Sequence, residues 1–260
     1  ETGSLLSIRR NVESIVIPSE EQPLDLHPLD FEEFLWALGN TTTFPVLHKA
    51  YEQKTPLGAP LHRKIMNDFR LYMLIGGMPQ AIMAYLDKKD FKKVDEVKRD
   101  ILTLYRNDIA KFAGKNQYKV LSIFDEIPSQ LSKREKKFNL SSVSKTARLR
   151  TYEEAFMWLE DAMITNTAFN TRDPDIGLGL SGDFSTRKSY MADTGLLVTH
   201  AFYDNSYSEN ELYKSILFDK LNINEGMLME NIVAQTLKTN SHRLFFIPDM
   251  IKKTGSITWR

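Results

Sequence analysis

From His62 onward, Ile65, Phe69, Tyr72 and Met73 recur at three- and four-residue intervals, the spacing of one helix face. The pattern stops at Gly76-Gly77 with Pro79 just beyond, a usual helix C-terminal signal. A second helix is predicted from Asp90 to about Phe112. Its apolar stripe is Phe91, Val94, Val97, Ile101, Leu104, Tyr105 and Phe112, with lysines covering the other face. A third is predicted over 117–132, broken by Pro128. Upstream, Asp30 and Glu33 have capping-box spacing, so a helix starts near Asp30. The intervening stretch 40–60 carries three prolines and two turn-like clusters and reads as a loop.

The second half changes period. A short helix is predicted over 141–148, then a tight turn and a helix from Thr151 to Met163, with Thr151 and Glu154 at capping-box spacing. "ITNTAFN" and "SYMADTGLL" read as β-strands. Helix, turn, helix and β-hairpin is the winged helix-turn-helix pattern. "GLGLSGDFS", Gly177 to Ser185, reads as its wing or hairpin turn. A last helix starts near Gly226, followed by an apolar strand, "RLFFI".

Bulk composition narrows the class. The 260 residues are 42% hydrophobic and 26% charged, an ordinary globular balance. There is no cysteine, which excludes disulfides and thiolate metal sites and fits a cytoplasmic setting. The longest charge-free stretch, Leu71 to Leu86, is too short and too interrupted by Gly and Pro to span a membrane. Net charge is zero, but Leu86 to Arg150 holds 17 Lys+Arg against 9 Asp+Glu. Lys133, Arg134, Lys136, Lys137, Lys145, Arg148 and Arg150 cluster around the helix-turn-helix. Such a basic block is suited to duplex DNA phosphates, or forms the solvated face of a protein-binding module.

Catalytic signatures are sparse. "LSIFDEI", Leu121 to Ile127, has the Asp-Glu ending of a Walker B strand, but no G-x-x-x-x-G-K-[ST] loop accompanies it. The segment fits an amphipathic helix better, with Val120, Leu121, Phe124 and Ile127 on one face. The five histidines show no metal-ligand spacing, no serine sits in G-x-S-x-G, and His27 reads as a surface residue.

Eight segments in order resemble one family. They are "TGSLLS" at 2–7, "LDLHPLDFEEFL" at 24–35, "YMLIGGMPQAIMAYL" at 72–86, "LYRNDIAKF" at 104–112, "IFDEIPSQLSKREKKFNLS" at 123–141, "RTYEEAFMWLEDAMI" at 150–164, "YMADTGLL" at 190–197 and "EGMLMENIVAQTL" at 225–237. Together they resemble prokaryotic AAA+-like ATP-binding proteins whose C-terminal region holds a winged helix and a restriction-endonuclease-like fold. The resemblance implies a mainly α chain with α/β parts. Residues 1–35 would end the ATPase core, 36–112 form a helical lid-like region, 113–200 the winged helix-turn-helix, and 201–260 a partial nuclease-like domain.

The same resemblance implies ATP and Mg²⁺ as cofactors of the ATPase, whose Walker segments would lie upstream. Thr2 or Ser4 would be the polar group that orients water near the γ-phosphate. Where members carry Gly-Arg before the acidic-apolar segment, this chain reads "IPSEEQPLDL". Glu230 matches the acidic residue on the first helix of the nuclease-like fold; the plainer reading of Glu230 is a first-turn residue favoured by the helix dipole. The expected activity is ATP binding and hydrolysis coupled to the winged-helix module. The alternatives are a DNA- or protein-binding module with a regulatory ATPase, and a nuclease.

Overall fold

Asp30 opens the first helix through the expected capping box. Its carboxylate accepts the Glu33 amide at 2.9 Å, and the Glu33 carboxylate accepts the Asp30 amide at 3.0 Å. In this computed structural model, residues 24–133, 135, 137–171, 178, 180–203 and 225–247 are described. They form α1 (Phe31–Ala37), α2 (Thr43–Glu52), α3 (Ala59–Ile75), α4 (Pro79–Lys88), α5 (Phe91–Phe112), α6 (Gln117–Ser132), α7 (Leu149–Asp161), β1 (Thr165–Thr171), β2 (Gly182–Met191), α8 (Thr194–Ala201), α9 (Glu225–Thr239) and β3 (Leu244–Phe246). The chain is mainly α with a small mixed sheet.

Several elements depart from the sequence expectation. The stretch read as a loop at 40–60 contains α2, because Pro45 falls in the first turn, where a missing N–H costs nothing. Pro79 likewise opens α4, a helix the apolar pattern left unassigned. Pro128 does not break α6: the helix runs through it to Ser132, and Phe124, Ile127, Pro128 and Leu131 are all buried on its core face. Burying this face outweighs the one backbone bond that Pro removes.

In place of the helix expected over 141–148 there is only a 3₁₀ turn, Leu140–Ser142. The capping box at Thr151 and Glu154 does not form. The helix begins earlier, the Thr151 hydroxyl donates to the Arg148 carbonyl at 2.8 Å, and Glu154 accepts from Asn116 at 2.6 Å. "LSIFDEI" lies within α6, as the helix reading expects.

"SYMADTGLL" splits at Asp193. The strand ends at Met191, and the Asp193 carboxylate caps α8 by accepting the Leu196 amide at 2.8 Å. Of "GLGLSGDFS", residues 182–185 belong to β2, while 177 and 179 lie outside the described residues.

β1 is the middle strand of the order β2-β1-β3, antiparallel to β2 and parallel to β3. The parallel pairing needs a long crossover, and α9 lies within it. A single apolar core runs from Phe34 through Leu74, Leu102, Phe124, Leu159 and Leu197 to Leu244. No helix among the described residues is long and apolar enough to cross a membrane.

Candidate functional site

The connector between α6 and α7 is held from beneath. Gln130, buried in α6, accepts the Asn139 amide at 2.9 Å and donates to Ser142 Oγ at 2.7 Å. The Phe138 amide donates to the Arg187 carbonyl of β2 at 2.7 Å, and the Phe138 ring meets Phe156 edge-on at 5.1 Å. The guanidinium of Arg187, itself buried, lies over the Phe156 and Phe169 rings at 5.1 and 5.6 Å. This aromatic–cation stack ties α7 to the hairpin.

With its backbone pinned, the connector turns its basic side chains outward. Lys133, Lys137, Lys145, Arg148 and Arg150 are all exposed, and none makes an ion pair among the described residues. Arg134 and Lys136 lie outside the described residues. The body of α7 carries Glu153, Glu154, Glu160 and Asp161. Cations therefore gather at the approach to α7 and its first turn, and carboxylates along the rest.

A second arrangement is buried where α3, α5, α8 and α9 meet. Asp193 accepts the Gly77 amide at 2.6 Å in addition to its own capping bond. Burial pushes the Asp193 carboxyl up from its ordinary value, against those amides and Lys98. Lys98 Nζ, fully buried, donates to the Leu74 and Gly195 carbonyls at 2.7 and 3.0 Å. Desolvation lowers the Lys98 pKa to about 8, with Asp95 and Asp193 opposing.

From α9, Gln235 accepts the Thr194 amide and hydroxyl at 2.9 and 2.8 Å and donates to the Tyr72 hydroxyl at 3.1 Å. Tyr72 in turn donates to the Leu29 carbonyl at 2.7 Å. Asn231 bridges Met191 and Thr194. Glycine is required on both sides of the junction. A Cβ on Gly195 would lie 2.3 Å from the Ile75 carbonyl oxygen, and one on Gly76 (φ +84°) 2.2 Å from Asp193 Oδ1.

Sequence reasoning missed this junction. It read Gly76-Gly77 only as a helix stop and placed lysines on the solvent face of α5, whereas Lys98 points into the core. Leu104, placed on the buried stripe, is exposed. The available signal was a pair of glycine-containing motifs, Gly76-Gly77 and Asp193-Thr194-Gly195, set in apolar runs.

Glu230 sits in the second turn of α9, not the first, so the helix-dipole reading is corrected. Its carboxylate is already engaged, ion-paired with Lys188 of β2 and accepting the Tyr190 hydroxyl at 3.1 Å. Burial pushes the Tyr190 phenol up, and the charge of Glu230 and its hydrogen bond act in the same direction. A Mg²⁺ site needs converging carboxylates. Among the described residues no group of three or more His, Cys, Asp or Glu is placed to hold a metal ion.

Thr2 and Ser4 lie outside the described residues. His27, read as a surface residue, is half-buried, and desolvation holds its pKa below the ordinary value.

The fold and these sites define a mainly helical protein with a three-stranded sheet, organised around a buried polar junction. Residues 66–206, more than half of the chain, match the family described as a domain of unknown function, DUF8612. The chain belongs to that family. No curated protein and no solved structure matches it.

Proposed function

We propose that α6, the 3₁₀ turn, α7 and the β1–β2 hairpin act as a winged helix-turn-helix module that binds duplex nucleic acid through its phosphates, within a cytoplasmic AAA+-like ATP-binding protein. The observation that carries the binding reading is the set of five exposed cations, without an ion pair among the described residues, on a connector pinned from below by Gln130 and Phe138 and on the first turn of α7. Phosphate contact needs donors of this kind. The carboxylates along α7 oppose insertion of that helix among base edges. The binding is therefore of the positioning kind, with little sequence preference.

The ATPase reading rests on the eight-segment resemblance, and ATP and Mg²⁺ enter through it alone. Coupling would run through the Asp193–Gly77 junction, which ties α3, α8 and α9 to the winged-helix side. Fluorescence anisotropy of a labelled duplex, titrated with the 260-residue chain at about 50 mM salt, tests the binding reading. Saturable binding, similar for unrelated sequences, is expected. No binding at that salt would favour a protein partner for the same surface.

A further inference from the structure

The corner between α5 and α6 carries an aromatic side chain that the fold does not use. Tyr118, in the first turn of α6, is 86% exposed, and its side chain makes no hydrogen bond or ring contact among the described residues. A single exposed ring is ordinary. What distinguishes Tyr118 is its surroundings. A 3₁₀ turn, Gly114–Asn116, joins the two helices here, and Lys111, Lys115 and Lys119 follow one another at four-residue intervals through it. None of the three makes an ion pair among the described residues.

The neighbouring carboxylates are mostly committed elsewhere. Glu154 accepts from Asn116 at 2.6 Å, Glu153 pairs with Arg187 at 3.4 Å, and Asp125 pairs with Arg106 at 2.7 Å. Asp108, nearly one turn before Lys111 on α5, is left to face the three ammonium groups, so the corner is positive.

The corner is also continuous with the basic connector. Lys119 Nζ lies 5.9 Å from the centre of the Tyr152 ring and 3.4 Å from Asn116 Oδ1. Tyr152 is one turn beyond Arg148, on the same side of α7. The Asn116–Glu154 bond fastens the corner to α7. Cations therefore run from Arg148, past Tyr152 and Lys119, to Lys115, with the Tyr118 ring exposed beside them. Cations that follow a phosphate backbone, together with a ring on which a base can stack, are what a single strand requires. A duplex keeps the faces of its bases stacked inside and offers them to a side chain only at its ends.

We propose that this corner binds single-stranded nucleic acid, with an unpaired base stacked on Tyr118 and the adjoining phosphates held by Lys115 and Lys119. A duplex seated on the connector delivers its unpaired tail to the corner, so the preferred ligand is a duplex with a single-stranded tail. The inference rests on the reading of the connector as a phosphate-binding surface. Bases and phosphates are common to DNA and RNA, and the two are separated by the test.

The test is fluorescence anisotropy of the 260-residue chain at about 50 mM salt with a blunt DNA duplex, the same duplex carrying a tail of about ten nucleotides, and the tail alone as DNA and as RNA. The tail should tighten duplex binding about fivefold or more. Tyr118→Ala should abolish that gain and leave the blunt duplex bound as before, while Tyr118→Phe, which keeps the ring, should retain it. The side chain is exposed, so both variants should fold. Tighter binding of the DNA or of the RNA strand assigns the ligand. Equal affinity for blunt and tailed duplexes, or a tail preference that survives Tyr118→Ala, overturns the inference and leaves the duplex reading standing. Single-strand binding lost in Tyr118→Ala, with no duplex binding, upholds the inference and removes the duplex reading. No binding of any probe overturns both.

Discussion

The Asp193 carboxylate accepts the backbone amide of Gly77 at 2.6 Å across 116 residues of chain. The same carboxylate caps α8, so one side chain both starts a helix and fastens it to the end of another. Asp193→Ala leaves two buried amides and the Lys98 ammonium without it. Losing such a partner from a buried network costs about 3–5 kcal/mol. Urea unfolding should show a loss of that size, while an unchanged midpoint would remove Asp193 from the junction.

Gly76→Ala should be as severe. Its φ of +84° disfavours any L side chain, and the new methyl would overlap Asp193. A loss of about 3 kcal/mol or more is expected. Tolerance of alanine at Gly76, at wild-type thermal midpoint, would show that the two segments do not pack this closely.

Lys98 predicts an unusual pH dependence. Its folded pKa of about 8 lies below the unfolded value of 10.5, so between those values the unfolded chain binds more protons. Stability from this group therefore rises with pH, beginning near 8. Tyr72, Tyr105 and Tyr190 have raised pKa values and act in the opposite sense above about 10. Between pH 8 and 10 the wild type should gain about 2 kcal/mol relative to Lys98→Met. Parallel stability curves for the two proteins would contradict a charged, buried Lys98.

Lys89 ends α4 in the left-handed region, with φ +52° and an exposed side chain. Lys89→Gly should raise stability by up to about 1 kcal/mol, because the strain relieved exceeds the entropy gained by the unfolded chain. Differential scanning calorimetry measures this directly. A lower melting temperature would mean that the lysine side chain contributes more than its conformation costs.

The 260-residue chain should not bind Mg-ATP at micromolar concentrations. Triphosphate affinity comes from the backbone amides and lysine of a Gly-rich loop, and the sequence has no G-x-x-x-x-G-K-[ST]. A calorimetric titration giving a micromolar Kd would reveal a phosphate site of another kind.

What could be read in the sequence was what local chemistry decides. Asp30 with Glu33 is a cap settled within four residues, and it forms; the helix expected from Asp90 starts there, with Asp90 accepting the Lys92 amide. The periodicity from His62 likewise gives α3, and the last helix, expected from near Gly226, is α9. Prolines misled because their meaning depends on position: Pro45 and Pro79 start helices, and Pro128 is carried by buried neighbours. The apolar run 190–197 cannot distinguish strand from helix by composition, and only the Asp193 cap divides it.

The candidate sites were legible in part. The basic connector is a charge count along the chain, so Lys133, Lys137, Lys145, Arg148 and Arg150 were identified before any fold. The partners of Glu230 come from a different element, β2, and no spacing announces them. The Asp193–Gly77 bond and the burial of Lys98 depend on segments far apart in sequence.

Salt dependence of duplex binding tests the central claim most directly. If the five connector cations contact phosphates, the slope of log K against log salt should be about −4 to −5, at about −0.9 per contact. Lys137→Ala with Arg148→Ala should reduce its magnitude by about 2 and weaken binding equally for unrelated duplexes. A slope unchanged by the double substitution, or no duplex binding at low salt, would contradict the account.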